Sequence, residues 1–327
     1  MGLLKALLAI LGDGQFHSGN ELGAALGYTR SAIWKAVRQL QALGVDVFSV
    51  RGKGYRLANP LELLDRERIW ASLEPSSRTL LHNLEVHFEL DSTNRYLLLR
   101  PPVAIDRGAA CLAEYQSAGR GRRGRNWISP LGANLYLSLG WGFASGAAQL
   151  SGLSLAVAIA VVRALDKIGV QGAGVKWPND IYHQGRKLAG ILLELRGEAE
   201  GPCYVVIGIG INHYLSPQAR EQISQPCTDI ASLLDKPVSR NQLAATLLDQ
   251  LLVVMREYSS QGLAPFLSEW RQLDVFAGQE VCLQTAQETI AGIVQGIDAQ
   301  GALLLDCAGQ LRRFHSGDVS LRASMGG

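Results

Sequence analysis

Seven residues carry the densest chemistry in the chain: Gly119-Arg120-Gly121-Arg122-Arg123-Gly124-Arg125, followed by Asn126-Trp127. Four guanidinium groups in so short a stretch offer fixed positive charge to phosphate or carboxylate oxygens, and the glycines let the backbone approach a ligand closely. The spacing also matches the dinucleotide fingerprint G-x-G-x-x-G. That fingerprint opens a helix whose N-terminus holds the pyrophosphate, which Trp127-Ile128-Ser129-Pro130 cannot do. The segment therefore reads as a loop, disordered by self-repulsion until a polyanion orders it, with Trp127 placed to stack on a base. A solvated basic loop is the plainer alternative, but it leaves the glycine spacing and the tryptophan unexplained.

Two further clusters could serve the same site. Lys176-Trp177-Pro178-Asn179-Asp180 ends one strand, His183-Gln184-Gly185 turns the chain, and Arg186-Lys187-Leu188-Ala189-Gly190 begins the next. Lys187 at the mouth of an apolar strand can point an ammonium into a pocket, although an ordinary hairpin lysine is the commoner case. Asp91-Ser92-Thr93-Asn94 is a helix N-cap by composition. Three hydrogen-bonding side chains in a row exceed what one cap uses, and the others suit a polar head such as a urea or amide.

The elements that must position these residues divide into a small head and a large body. At 327 residues the chain has room for about two domains and a small third. With 47% hydrophobic and 18% charged residues it is folded and soluble in composition, and its 36 glycines favour strands and turns over a helical bundle. Five scattered cysteines without a C-x-x-C pair argue against a disulfide framework and a zinc cluster, and the six histidines show no ligand spacing. No metal-ligating side chains are assigned. The longest apolar run, Leu155 to Val162, is too short to span a bilayer, and the N-terminal leucines lack the marks of a signal peptide, so a cytoplasmic protein without membrane partners is expected.

Residues 1–59 hold seven Lys/Arg against three Asp/Glu, whereas the remainder holds 24 against 26, so a polyanionic partner is expected for the head alone. Leucines 3, 4, 7, 8 and 11 form one helical face, Ser18 with Glu21 makes a capping box, and Thr29 opens a third helix running to Leu43. A helix-turn-helix over about 19–38 follows, then two strands joined by Arg51-Gly52-Lys53-Gly54, a wing. Arg30, Ser31, Lys35 and Arg38 would enter the major groove, and Arg51 and Lys53 would reach phosphate or the minor groove. Trp34 fits core or groove equally. A generic three-helix bundle is the alternative. So small a reading head needs two copies on spaced half-sites, which implies a dimer.

Residues 60–84, with Pro60, Pro75 and Ser76-Ser77, read as a linker with one helix. The body, 85–272, alternates strands with two long helices, one over Leu150–Ile168 and one capped by Ser239 and ending near Tyr258; this predicts an α+β domain on a largely antiparallel sheet. Short alternating strands over 273–327 predict a small β-barrel.

Taken together, Asp-Ser-Thr-Asn at 91–94, Glu-Tyr-Gln at 114–116, the arginine loop, Lys-Trp-Pro-Asn-Asp at 176–180, Arg-Lys-Leu-Ala-Gly-Ile-Leu at 186–192 and Gly-x-Gly-Ile-Asn at 208–212 resemble the biotin protein ligase family. The head with Arg-Gly-Lys-Gly-Tyr at 51–55 is similar to that of the bifunctional type, which also represses the biotin operon. The resemblance covers nearly the whole chain. It implies an α+β fold: a winged helix-turn-helix, a central mixed α/β ligase domain of class II synthetase-like type, and an SH3-like barrel. It also implies ATP, biotin and Mg²⁺, with biotinyl-5′-AMP as both intermediate and corepressor. The implied partners are the biotin carboxyl carrier protein of acetyl-CoA carboxylase, operator DNA, and a second copy through the central sheet. By the same resemblance Lys187, Arg120 and Arg122 are catalytic, and Ser92, Thr93, Asn94, Gln116, Arg120, Gly121, Arg122 and Lys187 bind biotin. Arg120, Arg122, Arg125, Trp127, Asn179, Lys187 and Asn212 bind the nucleotide; where the family's second loop closes over adenine, at 214–228, this chain departs in having no aromatic after Tyr214. A sensor that has lost its chemistry would not need Lys187 and the arginines, and a lipoate or other acyl ligase would ordinarily lack the winged head.

Overall fold

The computed structural model describes residues 2–100, 105–144, 146, 150–197, 201–285, 288–315 and 320–323. The head is built as its caps direct. Helices α1 (Gly2–Leu11), α2 (Gly19–Leu26) and α3 (Arg30–Ala42) precede the hairpin β1 (Val47–Val50) and β2 (Gly54–Leu57). The Ser18 hydroxyl accepts the Glu21 amide while the Glu21 carboxylate accepts the Ser18 amide at 2.8 Å, so two orphan donors of α2 are satisfied reciprocally. Gly27, at φ +74°, ends that helix, and Thr29 caps the next. Leu4, Leu7, Leu8, Leu11, Leu22, Ile33, Val37 and Leu40 close the head's core.

Residues 60–84 differ from the expected linker with one helix. They hold two helices, α4 (Arg66–Ser72) and α5 (Pro75–Leu80), and the first four residues of β3 (Leu81–Leu90). Pro75 suggests a break by its type, yet it occupies the first turn of α5, where a missing N–H costs nothing. Leu64, Ile69, Leu73, Leu81 and Leu84 are buried in the core of the body, which therefore begins well before residue 85.

That body is a seven-stranded mixed sheet in the order β3-β4-β5-β9-β8-β7-β6, with β4 (Gly108–Gln116), β5 (Leu135–Phe143), β6 (Ala173–Lys176), β7 (Asp180–His183), β8 (Arg186–Gly197) and β9 (Cys203–Ile211). Only the β3–β4 pair is parallel; the other pairs are antiparallel, as expected. A short helix, α6 (Thr93–Leu98), follows β3. Helix α7 (Leu153–Lys167) is apolar on nearly all sides and sandwiched accordingly, and α9 (Arg240–Gln261), three residues longer at its end than expected, packs beside it. Between them in sequence lies α8 (Pro217–Glu221), and α10 (Leu267–Leu273) leads out of the body.

The C-terminal strands form a five-stranded antiparallel sheet, β13-β12-β11-β10-β14, from β10 (Glu280–Gln284), β11 (Thr289–Ile297), β12 (Leu303–Cys307), β13 (Gln310–Phe314) and β14 (Ser320–Ala323). The last strand was expected over 318–321; residues 318 and 319 lie outside the described residues. The apolar side of this sheet (Val281, Leu283, Val294, Leu303, Leu305) joins the body's core, and Trp177 Nε1 donates to Gly301 O at 3.1 Å across the junction.

At that junction Val275 N donates to Val175 O, and Asp274 has one oxygen on the Phe276 amide while Oδ2 is buried without a partner. Burial pushes its carboxyl up from 3.8 to about 6. The folded state thus holds this proton more tightly than the unfolded chain, so Asp274's contribution to stability is complete below pH 3.8 and is lost as the pH rises through about 6. Relative to the parent, Asp274→Asn should therefore gain melting temperature between pH 5 and pH 7.5, by a few degrees for a change of about 1 kcal/mol; a constant offset in thermal melts would contradict this.

Candidate active site and nucleic-acid face

The sheet has two unlike faces. Toward α7 and α9 it presents Leu135, Leu137, Leu139, Ile191, Ile207, Ile209 and Ile211. On the α6 side the register sets Gly190 opposite Gly210, Leu192 opposite Gly208, and Ser138 opposite Gly208, so this face is nearly bare backbone. The bare patch is filled by large side chains. A Cβ on Gly210 would collide with the Trp127 indole, one on Gly190 would lie 3.0 Å from the same ring, and one on Gly208 would collide with the Asn94 amide.

Around this floor most of the polar residues form one connected set, with two further pairs beside it. Ser138, fully buried, lies 2.6 Å from Asn94 Oδ1 and 2.7 Å from Thr93 Oγ1. Thr93 donates its amide to Gln116 Oε1 at 2.9 Å, and Gln116 donates to Ser129 Oγ, which itself donates to Trp127 O. Asn94 Nδ2 donates to Glu194 Oε2 at 2.8 Å, and Glu194 Oε1 pairs with Arg120 Nη1 at 2.8 Å. Arg122 donates to Asn179 Oδ1 at 2.9 Å, and Asn179 in turn donates to Ile191 O. Lys187 pairs with Asp180 at 2.8 Å, and its ammonium stands 5.5 Å from the centre of the Trp127 ring.

The loop has a defined backbone path in the structure. Gly121 N donates to Arg125 O at 2.7 Å and Trp127 N to Gly119 O at 2.9 Å, so its ends are clasped by backbone bonds. Glu194 stands against Arg120 and Asn179 against Arg122, neither of which a composition argument can place beside the loop. Residues 214–228 are likewise secured: Asp229 receives the Leu215 amide and pairs with Arg220 at 2.5 Å.

Of the residues singled out from the sequence, the structure brings Thr93, Asn94, Gln116, Arg120, Gly121, Arg122, Trp127, Asn179 and Lys187 together. Ser92 performs the capping role that its position suggests: its Oγ accepts from Arg95 N. It also lines, with Asp91, Arg95, Arg120, Gly121 and Arg125, a cleft of about 410 Å³ on the loop's outer side. Asn212 follows the end of β9. Its buried amide donates to Thr228 O at 3.0 Å, helping to tie the 226–228 segment along Lys187, whose N–H donates to Pro226 O. Four members were missed: Ser138, Ser129, Asp180 and Glu194. The alternation Gly208-x-Gly210 was the available signal for the first, because it marks the stripped face opposite which Ser138 lies.

In the head, Arg30, Ser31, Lys35 and Arg38 are all exposed on α3, and Arg51 and Lys53 sit exposed in the wing turn. Trp34, undecided from sequence, is 53% exposed on this same side. Buried Ile33, Ala36, Val37 and Leu40 point inward, so the basic side is presented to solvent.

Comparison with known proteins agrees with this geometry. Residues 3–56 match the HTH domain, 87–212 the Biotin/lipoate A/B protein ligase family, and 276–322 the Biotin protein ligase C terminal domain. An adenylating ligase body joined to a DNA-reading head is the class these three segments define. The bifunctional ligase/repressor BirA of Escherichia coli is 44% identical over 97% of both chains, and that of Bacillus subtilis 30% identical over 94% of both. A biotin protein ligase from Aquifex aeolicus, solved in complex with biotin and ATP, superposes with a TM-score of 0.64 at 28% identity, covering 74% of this chain and all of that one. The chain belongs to the family of bifunctional ligase/repressor BirA.

Because the floor has no spare room, Gly208→Ala should force Asn94 off β9. Overpacking of this kind costs about 1–3 kcal/mol, which urea denaturation would register as a lowered midpoint; an unchanged midpoint would mean that Asn94 is free to move.

Proposed function

We propose that this protein is an ATP-dependent biotin protein ligase that also binds operator DNA as a repressor of biotin synthesis genes. The observation that carries the reading is the placement of Lys187, Arg120 and Arg122 around a glycine floor roofed by Trp127. Biotin's carboxylate attacks the α-phosphorus of ATP, pyrophosphate leaves, and biotinyl-5′-AMP forms. A lysine amine of the biotin carboxyl carrier protein of acetyl-CoA carboxylase then attacks the acyl carbon, and AMP departs. Negative charge gathers on phosphoryl oxygens in the first step, where preorganised Lys187, Arg120 and Arg122 stabilise it. Mixed anhydrides hydrolyse readily, so a loop lying over the adenylate also shields it from water.

In this reading Thr93, Asn94, Gln116 and Gly121 line the biotin end, with Ser92 at its mouth, and Trp127, Asn179, Asn212 and Arg125 serve the nucleotide end. Asn179 acts by holding Arg122 and Asn212 by holding the segment beside Lys187. Mg²⁺ entering with the nucleotide would supply neutralisation of phosphate charge, since ions of this kind are bound through few carboxylates and the substrate's phosphates.

For repression, two heads on spaced half-sites require a homodimer, and the central sheet offers a place for it. Strand β8 pairs with β7 only over Arg186–Gly190 but with β9 as far as Gly197, and Leu195 on that extension is 52% exposed. Among the described residues no helix is long and apolar enough to cross a membrane.

Biotin-dependent exchange of labelled pyrophosphate into ATP should be strong in the parent and fall by about 10²-fold or more in Lys187→Ala, as when one preorganised electrostatic group is removed. Exchange with lipoate in place of biotin, or an unaffected variant, would refute the assignment. Separately, Arg30→Ala/Lys35→Ala should weaken operator binding in gel-shift titrations and flatten its salt dependence by about one to two in slope; unchanged binding would show that α3 does not face DNA.

A further inference from the structure

We propose that Glu194 is a positioning residue of this site, one carboxylate that latches the arginine loop to the sheet and sets the direction of the Asn94 amide. The proposal deepens the ligase reading, and part of its test is independent of it. Glu194 lies on β8 opposite Val206, four residues beyond Gly190 and hence on the same bare face. Its two oxygens are divided between partners of different kinds: Oε2 takes Nδ2 of Asn94, which is 3% exposed, and Oε1 takes Nη1 of Arg120, whose side chain is 49% exposed.

An ionised carboxylate only accepts hydrogen bonds, so both polarities are fixed. Asn94 must turn its NH₂ toward Glu194 and its oxygen toward Ser138 at 2.6 Å, and it lies flat because Gly208 beneath it has no Cβ. A guanidinium carries five N–H donors in a rigid plane. The contact through Nη1 spends part of that fork and orients the rest, so Arg120 is aimed without being used up. The Asn179 oxygen that accepts from Arg122 is neutral, whereas Glu194 brings a charge to the loop. An amide that lines the biotin end and the loop that closes on it are thus referred to one residue of the sheet.

Limited trypsin digestion read by fragment mass tests the latch, because Arg120, Arg122, Arg123 and Arg125 are themselves cleavage sites. Glu194→Gln keeps an acceptor for Asn94 but removes the charge facing Arg120. Cleavage within 120–125 should accelerate about five-fold, the size of one partly screened ion pair, with rates elsewhere and the melting temperature unchanged. Adding Glu194→Gln to Arg120→Ala should produce no further acceleration at the remaining three arginines. Unchanged loop cleavage, acceleration at all sites alike, or acceleration that persists without Arg120 would each overturn the latch. In calorimetric titration Glu194→Gln should bind biotin several-fold more weakly than the parent, and equal affinity would overturn the positioning role. A parent protein that binds no biotin would instead sink the ligase reading, leaving the digestion result to stand by itself.

Discussion

Room on one face of a sheet is the constraint on which the rest of this molecule depends. A central strand ordinarily buries side chains on both faces, and β5, β8 and β9 do so toward α7 and α9. On the other face Gly190, Gly208 and Gly210 remove them, at the entropic cost that glycine imposes within a strand. What is gained is a surface on which an indole and an amide can lie flat against backbone. Trp127 and Asn94 occupy it, and the polar residues are then obliged to bond sideways to one another. Hence Thr93, Gln116, Ser129 and Ser138 form a single hydrogen-bonded set rather than isolated pairs.

The short run from Trp127 to Gly132 belongs to two domains at once. Trp127 covers the floor and Ser129 receives Gln116, while Leu131, 1% exposed, is counted in the core of the head and donates its N–H to Leu43 O at the end of α3. Gly44 at φ +88° sits against Pro130. The head is therefore not tethered through a flexible connector, and the recognition helix shares a backbone hydrogen bond with the stretch that ends the arginine loop.

Much of this was legible. Capping residues and helix periodicity gave the head and both long helices because each is a local signal: Ser18 with Glu21, Thr29, Ser239. The strands of the body were read less well: Asp180 opens β7 after a turn at Trp177–Asn179 instead of ending the strand before it, and β3 fell partly in the expected linker. The loop and Lys187 stood out because their charge density has no structural use. Failures came where the meaning of a residue depends on a distant partner. Pro75 opens a helix instead of breaking the chain since Leu64, Ile69 and Leu73 find a core to enter. Glu194 is an unremarkable strand residue until the fold sets Asn94 and Arg120, 100 and 74 positions earlier, against it. Asn212 sits in a motif, but which way its amide faces is decided by Thr228.

Burial then separates the parts that must stay from those that must move. Arg240 and Glu114, each 3% exposed, form an ion pair that also receives Leu64 N, with Asn134 O accepting from the same guanidinium. Breaking such a buried set by removing one partner costs about 3–5 kcal/mol, so β4 and the start of α9 are held rigidly together. The tethers of the arginine loop are of the opposite kind. Arg120 is half-exposed, and an ion pair in that setting is worth about 0–1 kcal/mol, comparable to thermal energy. A closure so weakly held can open for substrate and carrier protein yet be tightened by several phosphate contacts, and the rigid frame two residues before Gln116 ensures that what it closes on does not shift.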